Sequence, residues 1–244
     1  RVDGHMSGHV EMHYVPGVDM STGSLGQGIS AAVGMALAGK QSKKDYRVYA
    51  ILGDGEVAEG QVWEAMMAAN KYHLDNLCAC VDVNGLQIDG ATKDVMPTEP
   101  LDKKFEAFGW HVIQIDGHDF AQIEAAYQEA AATKGQPTMI LAHTVKGKGV
   151  SFMENNAGWH GKAPNDEQFA QAKAELEAAI KELEHEIGFS LFTRTNKGVV
   201  ISPDGEEFLG YARQVIEQAN LIEERYFGAV PQKRQFCVST QHYS

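Results

Sequence analysis

Val48-Tyr49-Ala50-Ile51-Leu52-Gly53-Asp54-Gly55 and Leu77-Cys78-Ala79-Cys80-Val81-Asp82-Val83-Asn84-Gly85 share one pattern: a short apolar run closed by an oxygen-bearing side chain beside glycine. Runs of this length, halted by glycine, read as buried strands. Between them Glu59–Tyr72 carries Val62, Ala65, Met66 and Ala69 at helical spacing. Strand, helix and strand in succession form a crossover unit, which makes the two strands parallel neighbours. Asp54 and Asn84 lie 30 positions apart, one such unit, and both emerge at carboxyl ends of strands. Ligands of parallel sheets collect at that edge.

The pattern extends in both directions. Residues 1–20 are rich in Gly and His and reach Pro16-Gly17, so they read as loop. Gly23, Gly26 and Gly28 lead into an Ala-rich helix over Ile29–Ala38. Downstream, Phe105–Phe108 falls in a short helix and His111–Ile115 is a third strand. Asp119–Thr133 places Phe120, Ile123, Tyr127 and Ala130 on one helical face, and Gly135 and Pro137 stop it. Thr138–Thr144 is a fourth strand, followed by a Gly-rich loop to about Pro164. The fold class expected is α/β, a parallel sheet with helices on both faces.

Composition narrows the function. With 43% hydrophobic and 22% charged residues, the 244-residue chain matches a folded globular protein. No apolar run approaches the ~18 residues of a membrane span and no leader pattern opens the chain, so a cytoplasmic location is expected. Cys78, Cys80 and Cys237 are odd in number and lack CxxC spacing; the first two read as a reduced core pair. A formal net charge of −12 disfavours non-specific nucleic-acid binding, which needs excess Lys and Arg. The chain opens on Arg1 rather than Met, and reads as a section of a longer protein.

Adjacent strands ending in Asp54 and Asn84 deliver one charged and one neutral oxygen to one place, with the Leu86 carbonyl nearby. That half-shell suits a hard cation completed by phosphate oxygens and water, as Mg²⁺ prefers. Either Asp-Gly or Asn-Gly alone is an ordinary turn dipeptide; the pair at this spacing points to a cation.

The wider text is similar to transketolase. The matching stretches are Pro16–Gly28, Gly53-Asp54-Gly55-Glu56 with Glu59-Gly60-Gln61-Val62-Trp63-Glu64-Ala65, Leu74–Leu77, and Asn84-Gly85-Leu86-Gln87-Ile88-Asp89-Gly90. The run across Gly85–Gly90 separates it from other thiamine-diphosphate enzymes that share only the shorter signature. The resemblance, covering about residues 8–178, implies the thiamine-diphosphate-binding fold and transfer of a two-carbon ketol unit between sugar phosphates, the chemistry of the pentose phosphate pathway. The cofactor supplies the carbanion and electron sink, and the protein anchors and orients it. By resemblance, Asp54, Asn84 and the Leu86 carbonyl bind Mg²⁺, with Ca²⁺ or Mn²⁺ able to take its place. Gly53 and Gly55 would lie by the diphosphate, Gly23 and Leu25 along the cofactor, and Ile88 against the thiazolium ring. Gly23 precedes a helix whose free N–H groups suit an anion or a polar ring edge. Glu59 would link cofactor sites across a homodimer, while His9 and His160 would handle substrate hydroxyls and diphosphate. The resemblance also implies an upstream helical region and a C-terminal half that carries the activating glutamate. A partner subunit is therefore expected.

Other patterns are blander. Gly23–Gly28 reads GxxGxG, not the dinucleotide GxGxxG. Lys146-Gly147-Lys148-Gly149 lacks P-loop spacing and reads either as a flexible loop or as a cover for the cofactor. His5, His9 and His13 stand at four-residue spacing, but glycines and Pro16 argue against a metal-binding helix. Trp63 and Met66-Met67 read as core or subunit interface.

From about Ile180 the text changes. Ile180–Thr195 resembles the second half of the recognition helix of a LysR-type regulator, Lys197–Ser202 its wing, and Pro203 to about Phe227 its dimerising linker helix. Ser202 would cap that helix, whose stripe is Phe208, Tyr211, Ala212, Val215, Ala219 and Ile222. Gln235–Thr240 resembles the opening strand of an effector domain. DNA binding through Arg194 and the wing is disfavoured. The base-reading start of the recognition helix is replaced by transketolase-like text, and the tail has seven Lys and Arg against nine Asp and Glu. The alternatives are a regulator fragment or an inert fusion. The chain is thus read as 1–178, a cofactor-binding domain, and 179–244, a small α+β tail with wing hairpin and long linker helix. Matching helical text on both sides of residue 179 allows one continuous helix across the join.

Overall fold

The computed structural model describes residues 10–195, 198–207, 210 and 234–239. By packing, the chain divides into one unit of residues 1–148, 152–163 and 233–244, and a second of 149–151 and 164–232.

The first unit is built on a parallel sheet. Its elements in chain order begin with α1 (Gln27–Gln41), β1 (Tyr46–Gly53), α2 (Gly60–Lys71) and β2 (Leu77–Val83). A two-residue hairpin of β3 (Leu86–Gln87) and β4 (Gly90–Ala91) follows, then α3 (Thr92–Val95) and α4 (Leu101–Ala107). The last are β5 (His111–Asp116), α5 (Phe120–Ala132) and β6 (Thr138–His143). The strand order is β5-β6-β2-β1, with β9 (Arg234–Ser239) at the outer edge beside β1. All these pairings are parallel.

Alternation along the strands sorts the core onto two faces. Val48, Ala50, Leu52, Leu77, Ala79, Val81, Met139 and Leu141 pack with Ile29, Ala32, Val62, Met66, Leu101 and Phe105 from α1, α2 and α4. The intervening Cys78, Ile140 and Ala142 pack with Ala126 and Ala130 of α5, joined by Tyr49, Cys80 and Tyr127. Helices therefore cover both faces. Val62, Ala65, Met66 and Ala69 are all buried, as their spacing requires. Trp63 is half-buried and stacks on Phe105 with ring centroids 5.3 Å apart, whereas Met67 is 55% exposed. Phe120 departs from its expected face, at 85% exposure. It opens α5, and a side chain in a first turn leans back past the helix N-terminus rather than onto the sheet.

Cys78 and Cys80 are free thiols on β2, and burial pushes both up to about 12. The described part of residues 10–20 is loop and turn. His5 and His9 lie outside the described residues; His13 is exposed.

The second unit contains α6 (Asp166–Ile187), which runs unbroken across residues 178–180. Asn165 and Gln168 form a reciprocal capping box at its start, and Gly188 ends it in the left-handed conformation. A hairpin of β7 (Phe192–Thr195) and β8 (Gly198–Ile201) follows. Buried Ser202 accepts the Gly205 N–H at 2.8 Å and starts a helical turn over 203–207. Lys197 and the stripe Phe208, Tyr211, Ala212, Val215, Ala219 and Ile222 lie outside the described residues. Residues 234–239 form the expected strand, but it extends the main sheet: its backbone pairs with β1, whose outer edge otherwise leaves a row of N–H and C=O groups unpaired. Among the described residues no helix is long and apolar enough to cross a membrane.

Candidate functional site

Because β1 and β2 are neighbours in register, Gly53 stands opposite Asp82, and the next residues of each strand share one edge. Asp54 donates its own N–H to the Asp82 carbonyl at 3.2 Å. Its Oδ2 accepts the Gly85 N–H at 2.6 Å. Asn84 closes a local turn, Oδ1 accepting the Leu86 N–H at 3.0 Å, and donates from Nδ2 to Asp82 Oδ2 at 3.1 Å. The Thr144 hydroxyl, just beyond β6, donates to Asp82 Oδ1. Three strand ends are thereby tied into one polar floor.

Above it lies a cleft of about 830 Å³. Leu25, Gly53, Asp54, Gly55, Glu59, Asn84, Leu86, Ile88 and His160 all line it. Gly23 is half-buried and not among the lining residues, although Ser24 and Leu25 are. His9 lies outside the described residues. The sequence alone did not single out Glu56, Asp82, Gln87 and Met96, which also line the cleft, as does Lys146 of the loop read either as flexible or as a cover for the cofactor. Asp82 carried a signal, a carboxylate one residue from the end of an otherwise apolar strand. Met96 carried none. Leu25, Ile88 and Met96 are 37%, 49% and 55% exposed, so the cleft offers apolar surface beside its charged floor.

Asp54 is 3% exposed. Burial pushes its carboxyl up to about 6; the Gly85, Gly55 and Asn84 backbone N–H groups oppose the shift, and the nearby Asp82 charge adds to it. A buried carboxylate whose charge the fold disfavours, in a cleft also lined by Asn84 and Leu86, fits a divalent cation of the Mg²⁺ type. Among the described residues no group of three or more His, Cys, Asp or Glu side chains forms a closed metal cage. The donor set fits an open site completed by a ligand's oxygens.

Backbone conformation serves the same edge. A Cβ on Gly55 would lie 2.9 Å from the Gln87 Cβ, so the close passage of these segments requires glycine. At the start of α1 two of the backbone N–H groups are taken up by the protein itself. Gly26 donates to Glu56 Oε1 at 2.8 Å and Gln27 to the Ser24 carbonyl at 3.2 Å. The helix terminus already faces a protein carboxylate.

Residues 1–231 match the family described as transketolase, thiamine diphosphate binding domain, a match that continues past residue 180. The chain is 50% identical over 169 residues to the 6-deoxy-6-sulfo-D-fructose transketolase subunit SqwG of Clostridium sp. (strain MSTE9), covering 69% of this chain and 62% of that one. It is 44% identical over 181 residues to an apulose-4-phosphate transketolase subunit of Phocaeicola vulgatus, covering 74% and 64%. The solved transketolase of Campylobacter jejuni aligns with a TM-score of 0.62 at 31% identity, over 78% of this chain and 29% of that one. The chain therefore spans less than two thirds of the length of these curated relatives.

Proposed function

The chain belongs to the transketolase family through its thiamine-diphosphate-binding domain, and from that premise we propose that it is the cofactor-anchoring part of a transketolase. The activity is transfer of a two-carbon ketol unit between sugar phosphates, completed by a second copy of this chain and a C-terminal partner subunit. One observation carries the reading: Asp54, Asn84 and Leu86 meet at neighbouring strand ends in a cleft of about 830 Å³.

When bound, thiamine diphosphate supplies the electron sink for breaking and forming the carbon–carbon bond. Asp54, Asn84 Oδ1 and the Leu86 carbonyl hold Mg²⁺, with Ca²⁺ or Mn²⁺ as substitutes. Gly53 and Gly55 let the backbone approach the diphosphate. Leu25 and Ile88 give the rings apolar contact, with Gly23 at the start of that wall. Lys146 brings a cation to a cleft lined by Asp54, Glu56, Glu59 and Asp82. His160, with His9, orients substrate hydroxyls, and Glu59 faces the second copy. The two relatives are named for a sugar phosphate and a sulfo-sugar, which supports a sugar with a strongly acidic terminal group as donor. A cytoplasmic location accords with such a substrate.

Calorimetry on the full chain with its C-terminal subunit tests the reading. Binding of thiamine diphosphate only with Mg²⁺ is expected; absence of Mg²⁺-dependent binding overturns it.

A second reading concerns residues 179–244. The β7–β8 hairpin followed by a Ser202-capped turn supports a piece derived from a LysR-type regulator, joined within α6. A gel shift is expected to show no salt-sensitive operator binding, since the tail is net acidic. A shifted band would establish a DNA-binding role.

A further inference from the structure

Glu56 is a charged residue 3% exposed, yet it is not among the cation ligands. It opens a single 3₁₀ turn, Glu56–Ala58, between β1 and α2. Its two carboxylate oxygens reach two different segments that border the cleft. Oε1 accepts the N–H of Gly26, the residue that caps α1 and follows Leu25, at 2.8 Å. Oε2 accepts the N–H of Gly53, the last residue of β1 before Asp54, at 3.1 Å. One side chain thus ties the wall that carries the apolar contact to the wall that carries the cation ligands.

The surroundings fix the tie. Trp63 Nε1 donates to the Val57 carbonyl at 3.0 Å, holding the turn from the α2 side. Gly26 has φ +78°, and a Cβ there would stand 3.0 Å from the Glu59 Cβ, so the start of α1 packs closely on the segment that follows the Glu56 turn. The nearby Gln27–Gln61 contact, at 2.6 and 3.1 Å, is exposed and neutral. The Glu56 bonds are charge-assisted, and the Gly26 bond is buried. The position at the start of α1 favours an anion as well.

We propose that Glu56 is a positioning residue for the cofactor, setting the distance between the Ser24–Gly26 and Gly53–Gly55 walls through two backbone N–H groups. The inference rests on the cleft being the thiamine diphosphate site and adds a residue whose effect on affinity is indirect.

The test is calorimetric titration of thiamine diphosphate and Mg²⁺ into the full chain with its C-terminal subunit, for wild type, E56Q, E56D and I140V. Gln keeps the shape but turns an N–H donor toward one of the two N–H groups; E56Q is expected to weaken binding about tenfold. Asp keeps the charge but is too short to span both groups, so E56D should fall between. I140V loosens the core on the opposite sheet face and should keep wild-type affinity. In NMR spectra the Gly26 and Gly53 amide protons should lie downfield in wild type and move upfield in E56Q but not in I140V. A merely structural role would lower melting temperature in both variants without separating their affinities. If wild type binds and E56Q binds equally well, the inference falls while the proposed function stands. If wild type does not bind, both fall. Should E56Q fail to fold, E56D decides, and wild-type affinity in E56D overturns the inference.

Discussion

Asp75, just before β2, and Asp54, just after β1, sit at opposite ends of the parallel strands and meet opposite electrostatic surroundings. Asp75 accepts the Gly135 N–H at 2.9 Å and pairs with Lys40 at 2.9 Å. Burial would raise its carboxyl, but those partners outweigh burial and hold it below the ordinary value. Buried Arg47 at the same end donates to the Asp75 and Ala130 carbonyls at 3.1 and 2.7 Å. That end carries its own counter-charges. At the other end Asp54 is raised to about 6, with Asp82 adding repulsion. A carboxylate satisfied by the fold serves structure; one left unfavourable by the fold accords with the proposed cation site.

The sharpest way to break this contrast is to neutralise each aspartate. D54N should reduce Mg²⁺-dependent cofactor affinity by more than about 100-fold, as removing one partner of a buried charge pair does. It should leave the melting temperature of the metal-free chain unchanged or higher. D75N should do the reverse: cofactor affinity at the wild-type level and a loss of ~1 kcal/mol, or about 2–4 °C in Tm. A D54N chain that still binds cofactor through Mg²⁺, or a D75N chain that does not, would erase the distinction.

A pH series in chelator sharpens it. The folded-state value of Asp54 lies above the ordinary 3.8, so the fold favours the protonated form. Its unfavourable contribution is absent below that value, grows as pH rises toward about 6, and is constant above. Metal-free stability should therefore lose ground between about pH 4 and 6, and D54N should remove that slope. Asp75 has the opposite sign: its contribution is present at neutral pH and disappears only in stronger acid. Last and smallest, Cys78 and Cys80, both pushed up to about 12, should resist thiol reagents at pH 8 in the native chain. Peptide mapping checks this, and rapid labelling of Cys78 would show that the α5 face opens.

Much of this architecture was legible because strand and helix signals agreed with burial. Leu77–Val83 reads as a strand from its apolar run, and Val62, Ala65, Met66 and Ala69 are buried because their period matches the helix. The Asp54–Asn84 juxtaposition followed from spacing alone, since a crossover unit fixes which strand ends are neighbours. What escaped the sequence was tertiary. Phe120 has the right period for the α5 face, but its place in the first turn aims it away. Glu56 sat in plain view after Gly55, yet only the approach of α1 to β1 shows that its carboxylate takes the Gly26 N–H at the helix start and the Gly53 N–H of β1. Met96 enters the cleft from a segment with no periodicity. The change of resemblance expected near residue 179 has no counterpart in the family match, which runs to residue 231, and α6 is continuous there.

The pairing of β9 with β1 has a bearing on how the chain is made. Tyr46 stands opposite Arg234, so β1, which ends at the cleft, finds its outer neighbour only after all of residues 47–233 have been synthesised. During synthesis that flank of β1 is a bare template, open to strands of other nascent chains.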